Sequence, residues 1–99
     1  MDVPEIGELR ELCEKLGETS LVGRIDSFVA LNEGLESKKG KEFIEVSLLG
    51  FAEGILVSLM RKYPENKKVS ELLERVSERR AELDAKFRKP KPPIFENME

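Results

Sequence analysis

Ninety-nine residues carrying 17 basic and 20 acidic side chains make one small, heavily charged globular domain with a modest core. The chain has no His, which excludes His-based nucleophilic catalysis and His metal ligation, and its single Cys13 excludes an internal disulfide and a multi-Cys zinc site. A net charge of −3 supplies no whole-chain pull toward nucleic acid or an anionic membrane.

The N-terminus lacks a basic-then-apolar run, so no signal peptide is expected, and the lone thiol suits a reducing, cytoplasmic setting. Gln and Trp are absent while Glu, Lys and Arg are abundant, a balance that leans toward thermophile proteins. The sequence predicts four helices. The first begins at Asp2-Val-Pro-Glu5, with Asp2 as the cap and Pro4 early in the helix. Ile6, Leu9, Leu12, Cys13 and Leu16 give it one apolar face, and Gly17 closes it.

Thr19 or Ser20 is the expected cap of the second helix. Its buried face is read as Leu21, Val22, Ile25, Phe28, Val29, Leu31 and Leu35, with Asn32 as a buried polar residue among them. The stretch Ser37-Lys-Lys-Gly40 is read as a loop.

The third helix, residues 41–62, is apolar nearly all round and must be covered on several sides. Ser47, Gly50, Gly54 and Ser58 form a stripe of small residues against which a neighbouring helix is expected to press. Ile44, Leu48, Phe51, Ile55 and Leu59 form a bulky face, with Leu49, Leu56 and Met60 beyond it. The segment is long enough to span a membrane. Glu45, Glu53 and two glycines within it argue against a span.

Pro64 stops this helix and Asn66 caps the fourth, whose seam is Val69, Leu72, Leu73, Val76, Leu83 and Phe87. Glu71 with Arg75 and Glu82 with Lys86 stand at favourable four-residue spacing. Prolines then end helical structure, giving a helical domain over residues 1–89 and an extended tail over 90–99.

Catalytic chemistry has few candidates. Glu45 and Glu53 lie two turns apart on one helix without the Glu-x-x-His motifs of helical di-metal sites, so neither a metal nor a cofactor is expected. Glu53, if buried, needs a partner such as Arg24. Cys13 sits on an apolar face and reads as an inert core thiol. Lys38, Lys39 and Lys41, and separately Lys86, Arg88, Lys89 and Lys91, form short basic runs without a nucleic-acid motif. In the tail, Lys91, Pro92, Pro93, Ile94 and Phe95 are the candidate partner-binding residues: a pre-organised extended peptide ending in two apolar anchors.

Residues 22–87 resemble the microtubule-interacting-and-transport (MIT) domain, a three-helix module. The resemblance rests on Arg24-Ile-Asp-Ser-Phe-Val-Ala-Leu-Asn-Glu-Gly-Leu35, on Lys38-Lys-Gly-Lys-Glu-Phe43, on Ser47, Phe51, Gly54 and Val57, and on the charged last helix. The small positions, Ala in that family, are Ser47 and Gly54 here, and the first helix is an addition. The resemblance implies helical or proline-rich peptides bound between helices. These readings converge on an all-α antiparallel four-helix bundle around a central third helix. The expected function is a non-catalytic protein-interaction domain, an adaptor or small complex subunit, that could itself be a homodimer. The alternative is a small accessory subunit of a nucleic-acid-binding complex.

Overall fold

A computed structural model describes residues 3–87, the side chain of Phe87 excepted. Four helices occupy almost all of it: α1 (Pro4–Lys15), α2 (Thr19–Lys39), α3 (Lys41–Lys62) and α4 (Lys67–Phe87). Connections of one to four residues make consecutive helices antiparallel neighbours. The chain is an all-α bundle, flattened to Cα extents of 54 × 34 × 16 Å.

The flattening has a simple origin. α3 packs against α1, α2 and α4, and α1 touches all the others, whereas α2 and α4 do not meet. So α2, α3 and α4 lie side by side as a layer, and α1 covers one face of it. The buried residues of α3 match this arrangement. Ile44, Leu48, Leu49, Ala52, Ile55, Leu56 and Leu59 are buried and, at 100° per residue, fill a single arc of the helix. They form one core with Val3, Ile6, Leu9, Leu12 and Cys13 of the first segment, Ile25 of α2, and Val69, Leu72 and Val76 of α4. Burying each such Leu or Ile stabilises the fold by roughly 1.5–3 kcal/mol. An exposed ion pair contributes about 0–1 kcal/mol, so the core and not the charged surface holds the layer together.

The helix ends are built from local chemistry. α1 starts with Val3 at the cap position and Pro4 in its first turn, and the expected cap Asp2 lies outside the described residues. Gly17 takes φ +75°, the Gly17 amide donates to the Glu14 carbonyl (3.1 Å) and the Glu18 amide to the Cys13 carbonyl (2.9 Å). This paired closure needs a left-handed residue where the glycine stands. At α4 the Asn66 carboxamide oxygen accepts from the Val69 amide at 3.1 Å, the cap expected there.

Three expectations are corrected. Thr19 and Ser20 are already helical, with Glu18 at the cap position of α2 and no side-chain cap bond. Glu18 is instead drawn sideways to accept from the Tyr63 hydroxyl (2.6 Å) and to pair with Lys62 (2.7 Å). The stretch read as a loop is helical through Lys39, and Gly40 alone, at φ +93° and ψ 152°, turns the chain. Finally, Leu31 does not join the buried face of α2, because none of the four described helices covers that side.

Candidate interaction face

Five side-chain ties add to the core packing between the helices. Arg10 of α1 donates to both carboxylate oxygens of Asp26 on α2, at 2.8 and 3.0 Å. Arg75 of α4 donates to both oxygens of Glu8, each at 2.8 Å. Arg79 donates to Glu5 at 2.6 Å, which gives that carboxylate, only 6% exposed, its charge partner. Glu18 joins the α1–α2 turn to the end of α3. Glu53 of α3 accepts from Ser77 (2.7 Å) and from Arg80 of α4.

These contacts shift titrations in one direction. Hydrogen bonds from Arg75 hold Glu8 below the usual carboxylate range, those from Arg10 do the same for Asp26, and those from Lys62 and Tyr63 for Glu18. Glu53 is lowered chiefly by the Ser77 hydroxyl, then by Arg80. Burial pushes the Cys13 thiol upward, away from the reactive thiolate.

The partner expected for Glu53, Arg24, is therefore replaced by Ser77 and Arg80, because α4 and not α2 flanks that side of α3. The expected same-helix pairs of α4 are also replaced. Arg75 reaches across to Glu8, and Lys86 lies 3.8 Å from Glu42 of α3. Asn32 is buried as expected, and its amide donates to the Phe28 carbonyl one turn back at 2.8 Å. Its role is local backbone satisfaction. Lys91, Pro92, Pro93, Ile94 and Phe95 lie outside the described residues.

Opposite α1, no described element covers the layer. The stripe expected to receive a neighbouring helix has none within the described chain. A Cβ at Gly54 would meet nothing within 4 Å, and one at Gly50 would meet only the Arg80 guanidinium, 3.6 Å away, where that side chain crosses toward Glu53. Beside the stripe Phe28 and Phe51 stack, ring centroids 4.1 Å apart and planes at 10°. Their groove is shared with Gly23, Ser27 and Leu31. It adjoins a second concavity of Leu21, Gly50, Gly54, Ile55 and Ser58, with Arg24 and Phe51 common to both. Leu31 is 60% exposed, Phe43 48% and Val57 40%. Phe43, Gly50 and Val57 recur at seven-residue spacing and thus share one side of α3.

Sequence reasoning found the stripe but not its openness. A helix apolar all round reads as covered, and nothing in the pattern tells whether the cover belongs to the same chain. The other notable concavity, about 260 Å³ between α1 and α4, lies below the ~300–1,000 Å³ of ordinary small-molecule sites. Its walls carry the paired Glu8 and Arg75. Among the described residues no group of three or more His, Cys, Asp or Glu side chains could hold a metal ion.

The chain belongs to the family described as Protein of unknown function (DUF3216), which it matches over residues 6–97. It is similar to the crystal structure of a singleton protein from P. furiosus, with 36% identity and a TM-score of 0.79. That similarity covers 86% of this chain and 92% of the other. No curated protein matches.

Proposed function

We propose that the protein is a non-catalytic interaction domain that docks another protein on the open face of α2 and α3. The observation that carries this reading is exposed Leu31 and the half-buried Phe28–Phe51 stack, beside a Gly/Ser floor that no described helix covers. Small residues let a partner backbone approach closely, and the aromatic wall supplies apolar area to anchor it. An MIT-like mode, with a helical or proline-rich peptide lying between helices, is compatible with this geometry. α1 covers one side of the layer and leaves the opposite side free.

The test is capture from source-organism lysate with the intact chain, a Leu31→Glu variant and a Gly54→Arg variant. The docking reading expects one partner to be lost from both variants while their helical content is unchanged. Undiminished capture by both would remove the face from consideration.

A second reading has its own observation. The contact between Lys86 and Glu42 brings Lys86, at the end of α4, beside the Lys38, Lys39 and Lys41 run. A nucleic-acid role would show as duplex or single-strand binding that falls steeply with salt and with charge-removing changes at Lys38, Lys39 and Lys41.

A further inference from the structure

The open face has a resident candidate in the chain itself. α4 ends beside the beginning of α3, where Lys86 lies 3.8 Å from Glu42. Phe87, the last described residue, therefore stands near the head of the trough above α3. The three prolines at 90, 92 and 93 bar helix and favour an extended course. Seven such residues, from 87 to 94, span roughly 22 Å at ~3.1 Å each. Gly54 stands roughly 18 Å along α3 from Glu42 at ~1.5 Å per residue. An extended chain beginning at Phe87 is thus long enough for Ile94 and Phe95 to come level with Gly54 and the Phe28–Phe51 wall.

Charge at the far end of the tail fits the same course. Arg24 borders both parts of the groove, and Arg61 lies one heptad beyond Gly54 on the open side of α3. Both are exposed, and neither forms an ion pair with the described residues. The tail supplies Glu96 and Glu99 just after its two apolar residues. The family match also extends through residue 97, so this segment belongs to the shared sequence pattern and not to an arbitrary extension.

We propose that residues 88–99 of the same chain fold back along this trough as a displaceable ligand, Ile94 and Phe95 beside Phe51 and Gly54, Glu96 and Glu99 toward Arg24 and Arg61. The proposal rests on reading the face as a docking site. A partner then competes with the tail, and removing the tail's anchors raises the partner's access.

The experiment uses the full chain with Asn97→Cys carrying a nitroxide label; Cys13 is buried and leaves the new thiol as the reactive one. Amides of Gly23, Gly50 and Gly54 are expected to lose most of their NMR intensity, while those on the α1 side keep theirs. Adding Ile94→Asp and Phe95→Asp is expected to restore the signals and to increase partner capture. Absence of broadening on the face, or broadening elsewhere, overturns the proposal. Broadening that also appears when labelled chains are mixed with unlabelled, isotope-enriched ones overturns it in favour of a second copy as occupant. If the face stays unbroadened while Leu31→Glu still abolishes capture, the tail proposal falls and the docking reading stands. If the tail sits on the face but capture ignores Leu31→Glu and Gly54→Arg, the tail is a fixed part of the fold and its role as a displaceable ligand falls.

Discussion

Glu53 illustrates how a single side chain can look functional and serve the fold. An acid in a nearly all-apolar segment invites a catalytic reading. Here its oxygens are used up by Ser77 and Arg80, and what they accomplish is to join α3 to α4. Glu53→Ala removes both acceptors and leaves the partly covered Arg80 guanidinium with only the longer contact to Asp84, at 3.9 Å. Because Arg80 is 42% exposed, solvent screens much of the loss. The expected destabilisation is about 1 kcal/mol, or roughly 4–8 °C in Tm for a domain of this size. A melt with no measurable shift would refute the assigned role. The need for a partner was legible from burial alone. The partner's identity was not, because Arg80 comes from a helix whose placement beside α3 is a tertiary fact. The same holds for Glu5 with Arg79 and Glu8 with Arg75, whose members stand far apart in the chain.

Among the elements, α3 was the most legible, since a continuous apolar run ended by Gly40 and Pro64 leaves little freedom in its bounds. The Asn66 cap of α4 was equally plain in sequence. Asn66→Ala is expected to cost about 1 kcal/mol by freeing the Val69 amide, read as a lower denaturation midpoint at unchanged slope. α2 was read less well for two physical reasons. Lys38 and Lys39 are good helix formers, so the helix continues until a residue must adopt a conformation closed to L side chains. Leu31 has the period of a core residue, yet periodicity reports which side of a helix is apolar, not whether anything in the chain lies against it.

The described residues form a layer with one face covered by α1, and α1 is the part most dependent on charge. Acid probes this directly. Glu8, Asp26, Glu18 and Glu53 all have folded-state values below their ordinary ones. Their stabilising contribution is complete above the ordinary carboxylate range near about 4 and is lost as pH falls through the lower folded values. Tm is therefore expected to hold level near neutrality and to fall once pH drops below about 5, with α1 amides losing exchange protection before those of α3. A flat profile down to strongly acidic pH would contradict these ties. The one-residue turn at Gly40 has a different consequence. Its backbone angles lie where only glycine is at ease, so Gly40→Ala strains the turn by roughly 1–3 kcal/mol. Relief comes by straightening, with residues 19–62 continuing as a single rod. α3 and α4 would then be carried out of reach of their own α1 and α2, and two chains would complete each other's cores by exchanging halves. One methyl group at this position is expected to convert the fold into an interlocked pair, visible as a doubled mass in sedimentation.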